Sequence, residues 1–423
     1  MNIYDSGKKI AVIGAGVAGL TASYLLSKKH HVFLFDKQHY CGGHANTITI
    51  NNGVDEGLAV DTGFIVFNKY NYPTFLKLLA ELEVDYIESN MSFSYFSKFT
   101  NFLYSSDFPW GLFAQKRNLF SPKFYKFILD IIKFNNVALI DVESGRHLDS
   151  SLDDYLKHYK FSDLFIKNYV VPMGAAIWSA SFNELLSMPA YTFLHFWRNH
   201  GLLQVADRPQ WYTIKGGSRN YVAKITERLS TISLNNAAVN VRRFDNGCIV
   251  KTADGAECYC DYVVMATHAD QVLDLLDSPT DTEKNLFSKW SYSKNRVYFH
   301  TDTSFLPPKK RCWASWNYIQ SEPSDQSPVF VSYYMNRLQS LQTKQDYIVT
   351  LNPVTEVNQN SIIRELNYDH PMFSPESIAT QPELELLNGK SNVYYCGSYF
   401  NYGFHEDAAC SGAKVAAHFG VKL

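Results

Sequence analysis

Apolar residues run without a break from Ile10 to Ile13, stop at Gly14-Ala15-Gly16-Val17-Ala18-Gly19, and resume at helical spacing through Leu25 and Leu26. That order predicts a buried parallel strand, a glycine turn and an amphipathic helix. A second apolar run, His31-Val-Phe-Leu-Phe-Asp36, predicts the next strand, and residues 60–68 have strand composition around Gly63. From 71 to 205 the alternation of strand and helix is lost. Helical patterns at 73–82, 122–135, 151–158 and 183–200 are joined there by aromatic-rich connections, and 173–181 reads as a packed element around Trp178. Residues 230–267 turn β-rich, with Asp254-Gly255 as a hairpin signal. The apolar run 260–269 predicts a buried strand that returns to the first sheet. Aromatic strands are expected at 312–318, 329–336 and 347–353, with loops at Pro307-Pro308, Pro323 and Pro328. Residues 392–417 predict a strand, a glycine loop and a helix of small residues.

The glycine turn carries the first chemistry. Gly14 permits the tight turn, Gly16 lets backbone approach a pyrophosphate, and Gly19 lets helix and strand pack closely. The first helical turn, with Val17 and Ala18, then aims unpaired N–H groups and the positive end of its dipole at the phosphates. Asp36 closes the second strand about 20 residues beyond Gly14, where a carboxylate grips a ribose hydroxyl. Lys37 follows it, and Gly42-Gly43-His44 return backbone amides toward the same dinucleotide. Gly63 marks a close approach of ligand or backbone. Gly216-Gly217-Ser218, before a helix at 221–229, is either a second anion-facing turn or an N-cap.

At 423 residues the chain suits two domains, which the returning strand makes interleaved. A net charge of −2 implies no general attraction to nucleic acid. Aromatic residues make up 15% of the chain, pointing to a large apolar interior or an apolar cavity. Between Phe93 and Phe134 they interleave with Lys98, Lys116, Arg117, Lys123 and Lys126. That stretch is either core with a solvated edge, or a surface that touches membrane or guards an apolar entrance. Seven scattered cysteines without a CxxC pair fit a reducing compartment. Lys8-Lys9 before an apolar run imitates a secretory signal, but the three glycines and the need for a first strand argue against one. A cytoplasmic protein without a membrane span is expected. The sequence has no GxSxG, GxxxxGK[ST] or HExxH motif, and His195 and His200 are wrongly spaced for one helical face, so no metal site is expected.

The Gly14/Gly16/Gly19 loop with Asp36, the Gly42-Gly43 pair and the C-terminal GFHEDAACSGAKVAA together resemble the flavin-containing amine oxidase superfamily. VDTGFIVFN, MGAAIWSA, PQWYTIKGGSRNYV, SWNY and YGFHEDA resemble most closely its branch of FAD-dependent oxidoreductases associated with cyclopropane fatty-acyl-phospholipid synthases. The resemblance implies an α/β fold: a Rossmann-like FAD-binding domain of glutathione-reductase type (1–70, 206–270, 386–423) with an interleaved α+β substrate domain (71–205, 271–385). It implies FAD as cofactor, Val239 meeting the adenine, and Gly397 and Ser398 at the ribityl-phosphate turn. Phe404, His405 and Glu406 would face the isoalloxazine, with His405 and Glu406 as the acid/base candidates beside a helix N-terminus at 408. His44 stands where the superfamily commonly has arginine, and Ser398 where it often has an acid, so amine-oxidase catalytic details do not carry over.

The expected function is an FAD-dependent oxidoreductase acting on a bulky apolar substrate, an unsaturated or modified fatty-acyl lipid. A flavin amine oxidase, with Tyr399, Tyr402 and Phe404 as aromatic cage, is the alternative. A non-catalytic flavoprotein partner of a lipid-modifying methyltransferase and an NAD-dependent dehydrogenase are the remaining ones. Peripheral membrane contact and a lipid-modifying enzyme partner are the expected associations, with no nucleic acid.

Overall fold

The computed structural model describes residues 7–423 apart from 108, 148, 179–181, 200, 204–208 and 322–329. Five short parallel strands form one sheet in the order Thr231–Ser233, His31–Phe35, Lys9–Ile13, Tyr262–Met265 and Val393–Tyr395. The returning strand expected at 260–269 thus lies directly against the first one, Ile10 opposite Tyr262 and Ile13 opposite Met265.

An all-parallel sheet must be covered on both faces, and side chains alternate accordingly. Ile10 and Val12 point into a core shared with helices Val17–Leu26, Pro73–Glu81, Arg219–Thr226 and His405–His418. Ala11 and Ile13 point into a core shared with the three antiparallel strands of residues 238–260 and with helices Val272–Leu275, Asp281–Phe287 and Pro375–Leu384. These last three helices fall within the stretch 271–385 that the sequence assigns to the substrate domain, yet their apolar faces bury against the nucleotide-type sheet. Helix Val17–Leu26 is also not amphipathic. All ten of its residues are buried, because other helices close over the face expected to meet water. One contact is unusually close: a Cβ on Gly412 would lie 2.3 Å from the Ala18 carbonyl oxygen, so only glycine lets the C-terminal helix cross there.

A second, seven-stranded sheet runs Ile362–Met372, Ser291–His300, Ile348–Leu351, Val331–Tyr334, Trp316–Gln320, Phe93–Ser97 and Phe102–Ser105. Its neighbours are antiparallel except for the parallel pair Trp316–Gln320 and Phe93–Ser97. Helices Pro122–Ser144, Leu152–His158 and Ala190–Asn199 pack on its end around Phe124, Phe127, Phe134 and Trp197.

The helical patterns at 73–82 and 151–158 appear as Pro73–Glu81 and Leu152–His158. The pattern at 122–135 runs on to Ser144, where Gly145 takes a left-handed conformation and ends the helix. The single helix expected over 183–200 is two, Phe182–Ser187 and Ala190–Asn199, interrupted at Pro189. Residues 60–68 are not one strand either. Ala59–Asp61 pairs with Thr47–Thr49, and Phe67–Asn68 pairs with Trp211–Ile214. The expected loops at Pro323 and Pro328, and part of the element around 173–181, lie outside the described residues.

Candidate functional site

The glycine turn is held by backbone bonds that only a compact loop allows. Gly14 N–H donates to the Phe35 carbonyl at 2.8 Å, and Gly42 N–H donates to the Ala15 carbonyl at 2.8 Å. Gly14 has φ +108° and Gly42 φ +124°, both in the region that favours glycine. Asp36 stands behind the turn, its carboxylate accepting from Ala15 N–H at 2.6 Å and Gln38 N–H at 2.7 Å. These bonds fix one edge of the carboxylate and leave further lone pairs for a ligand hydroxyl.

A single cavity of about 1350 Å³ starts at this turn and runs between the two sheets. Gly14, Gly16, Val17, Ala18, Asp36, Lys37, Gly42, Gly43, His44, Gly63, Gly397 and Ser398 line one end. Phe404 and His405 line it further along, beside Phe64, Tyr402 and Phe196. The far end is walled by Tyr104, Ile128, Ile131, Tyr169 and Met173. Segments that the sequence separates by hundreds of residues thus share one continuous surface.

Two of the expected residues point elsewhere. Glu406 is absent from the lining. Its Oε1 and Oε2 accept from the N–H groups of Thr74 at 2.8 Å and Phe75 at 2.9 Å, capping helix Pro73–Glu81. Those bonds occupy the carboxylate that was expected to face the ring. Val239 is 44% exposed, and Ala237 and Ala238 line the cavity in its place. Gly19 does its work from below, since a Cβ there would meet Gly14 O at 1.9 Å. His200, half of the histidine pair excluded as a metal site, lies outside the described residues.

The turn Gly216-Gly217-Ser218 does face an anion, but an internal one. Ser218 N–H donates to Asp61 Oδ1 at 3.0 Å and Oδ2 at 3.1 Å, and the hydroxyls of Thr47 and Ser218 and the Gln339 amide donate as well. Burial nevertheless lifts the Asp61 carboxyl to about 6, the hydrogen bonds only partly opposing it. A folded-state value above that of the unfolded chain supports the fold while the group is protonated, and that support is lost as pH rises through about 6. Wild type should therefore lose stability relative to the non-titrating Asp61→Asn between about pH 4 and 7, by up to about 3 kcal/mol. A gap between the two melting curves that stays constant across this range would mean that Asp61 does not titrate there.

Sequence reasoning missed a cluster of rings beside the glycine turn. His44 stacks on Tyr368 at 4.8 Å and lies 5.5 Å from His370 and 6.4 Å from His268, which stacks on Tyr292 at 4.4 Å. Burial lowers all three histidines, His268 and His370 to about 3, so they are neutral at pH 7. His44 Nε2 and His268 Nδ1 are buried without a hydrogen-bond partner and their residues line the cavity. Buried polar atoms rarely stay unmatched, and two ring nitrogens in a cavity walled by helix N–H groups fit a ligand bearing phosphates. A Cβ built on Gly16 meets nothing within 4 Å, so the space over the helix start is open. The residues present fit a dinucleotide.

Further along, His405 stacks on Phe64 with ring centres 3.6 Å apart, and its Nε2 lies 3.0 Å from the Tyr221 hydroxyl. Burial holds His405 well below its ordinary range.

Residues 12–82 match the family model of the NAD(P)-binding Rossmann-like domain. No curated protein matches the sequence. Among solved structures, putrescine oxidase bound to putrescine is similar over 98% of this chain and 99% of its own (TM-score 0.68, 14% identity). The CLA-producing fatty acid isomerase from P. acnes is similar over the whole of both chains (TM-score 0.67, 16% identity). Cyclohexylamine oxidase from Brevibacterium oxydans IH-35A is similar over 97% of this chain and 98% of its own (TM-score 0.68, 13% identity). The chain therefore has a mixed α/β fold of the amine-oxidase type, with a Rossmann-like dinucleotide-binding domain at its core.

Proposed function

We propose that the chain is an FAD-dependent oxidoreductase acting on a bulky apolar substrate, an unsaturated or modified fatty-acyl lipid. One observation carries this reading: a single cavity joins the glycine turn at the start of helix Val17–Leu26 to a chamber lined by aromatic and aliphatic side chains. In this reading the first-turn amides of Val17 and Ala18 hold the pyrophosphate and Asp36 the adenosine ribose. Ala237 and Ala238 flank the adenine. Gly43, His44, Gly63, Gly397 and Ser398 surround the ribityl chain and its phosphates. When bound, FAD supplies hydride or electron-pair transfer.

The protein's own part is to orient, to exclude water and to keep charge out of the chamber. Phe404 stacks on Phe196 at 4.9 Å, and His405 on Phe64, giving the flavin end of the cavity rigid walls. A Tyr221 hydroxyl donating to His405 Nε2 would leave the ring proton on Nδ1. With its ring held between Phe64 and Phe75 and its Nε2 bonded to Tyr221, His405 serves as wall rather than base. His405→Phe should accordingly keep its flavin and turn over within about threefold of wild type, whereas general acid–base catalysis contributes about 100-fold or more. A hundredfold loss in steady-state turnover with flavin retained would assign His405 proton transfer instead.

Amine oxidation is the second reading, favoured by the similarity to putrescine oxidase and cyclohexylamine oxidase and by Tyr402 and Phe404 at the same end of the cavity. Aromatic faces attract a cationic amine, but no carboxylate among the described lining residues stands beside them to strengthen the attraction. Among the described lining residues the acids are Asp36, Asp274 and Asp369, and all three fall near Lys37 and His44 at the dinucleotide end. Anaerobic mixing decides: bleaching of the flavin by an unsaturated phospholipid or fatty acid, and not by primary amines or polyamines, is the expected result. The opposite pattern would establish the amine reading. A yellow protein reduced by none of these without a partner enzyme would point to a non-catalytic flavoprotein, and a colourless one to a nicotinamide cofactor. Placement in the cytoplasm, and the likeness to the branch associated with cyclopropane fatty-acyl-phospholipid synthases, belong to the same proposal.

A further inference from the structure

We propose that the loop and helix spanning residues 110–133 form a docking face that seats the protein on an anionic lipid leaflet, with the mouth of the cavity against the acyl chains. Most large apolar side chains here have somewhere to hide, but six in this stretch do not. Trp110 is 76% exposed, Phe120 87% and Leu129 60%, and Leu119, Tyr125 and Ile132 join them. Large apolar side chains exposed so close together in the chain mark an interaction site. Tyr125, Leu129 and Ile132 fall at i, i+4 and i+7 of helix Pro122–Ser144 and so make one stripe along it. The opposite face, with Phe124, Phe127 and Phe134, is core.

Two further observations decide what covers the stripe. The first is charge. Lys116, Arg117, Lys123, Lys126 and Lys133 are exposed around the patch, and between 109 and 140 the only acid is Asp130, which is buried and paired with Lys126. A second copy related by a two-fold axis would bring lysines against lysines, whereas an anionic leaflet complements them. The second is continuity. Ile128, Ile131 and Ile132 line the cavity, and Ile132 is also 46% exposed, so the chamber wall and the exposed stripe meet in one side chain. An apolar face flanked by lysines and an exposed tryptophan is the pattern of a helix lying in the membrane interface. Among the described residues no helix is long and apolar enough to cross a bilayer, so the contact rests on the surface.

The docking itself needs no cofactor. Only its purpose, delivery of an acyl chain to the chamber, rests on the function proposed above. The test is sedimentation of the full chain with phosphatidylcholine vesicles, with and without phosphatidylglycerol. Wild type should bind the anionic vesicles, less tightly as salt is raised. The double variant Phe120→Glu/Leu129→Glu should bind at least about tenfold more weakly while keeping its circular dichroism and its monomeric mass. As a second readout, brominated phosphatidylcholine mixed into the anionic vesicles should quench wild-type fluorescence more than that of Trp110→Phe. Failure to bind anionic vesicles would overturn the inference. So would binding unchanged in the double variant, or a wild-type dimer that the variant abolishes. Vesicle binding by a protein whose flavin no lipid reduces would leave the docking face standing and remove the lipid chemistry. Lipid turnover without vesicle binding would do the reverse.

Discussion

Gly16→Val should abolish the FAD binding proposed above and leave the fold standing. Gly16 caps helix Val17–Leu26 with φ −71°, a conformation open to any residue, and a Cβ there meets nothing within 4 Å. The backbone therefore accepts a Cβ at this position without strain. The space it would fill, however, is the approach to the first-turn amides, where a pyrophosphate must come within hydrogen-bond distance. A valine holds the phosphates off those donors, and affinity should fall by about 1000-fold or more, equivalent to about 4 kcal/mol. Flavin absorbance after gentle purification, set beside the melting temperature of both proteins stripped of cofactor, separates the two effects. A variant that retains its full complement of flavin would show that the phosphates do not lie over this helix.

The second large effect runs the other way, through the fold. Gly412→Val would place a branched side chain where a single Cβ already lies 2.3 Å from Ala18 O and 3.1 Å from Ala22 N. Both neighbours are backbone atoms of a fully buried helix and cannot step aside as a side chain could. The two helices must separate, opening the core beneath the first strand. A loss of about 4 kcal/mol or more is expected, a large part of the total stability of an ordinary domain. Because the same helix begins at His405, flavin affinity should fall with it. Gly412→Ala should shift the melting temperature in the same direction by less. An unaltered melting temperature in the valine variant would mean that the helices do not cross at this point.

What the sequence makes legible in this protein is what depends on neighbours along the chain. Gly14, Gly16 and Gly19 with Asp36 are a local pattern; in the structure Gly14, Gly16 and Asp36 line one end of the cavity, and Gly19 packs beneath Gly14. The apolar run 260–269 is likewise self-announcing as a buried parallel strand, and it lies beside the first. Two of the misreadings concern partners far away. Glu406 looks like an acid at a flavin until Thr74 and Phe75, more than 330 residues earlier in the chain, are seen to occupy it. Gly216-Gly217-Ser218 has the form of a ligand-binding turn, and its anion is the protein's own Asp61. Val239 is turned outward because a one-residue step in a strand exchanges its two faces, and the register slips between Ala238 and Asn240. The histidine cluster comes from three separate segments, at 44, 268 and 370, and no periodicity links them.

The order of the sheet has a consequence for how the protein is made. Its five strands are drawn from residues 9–13, 31–35, 231–233, 262–265 and 393–395, and Asp61 waits for Gln339 to satisfy it. Synthesis runs from the amino end, so the glycine turn emerges early but stays without strands Tyr262–Met265 and Val393–Tyr395, helix His405–His418 and Ser398 until those later residues exist. Truncation of even the last few dozen residues would cost the amino-terminal binding motif its support, although none of its own residues had been touched.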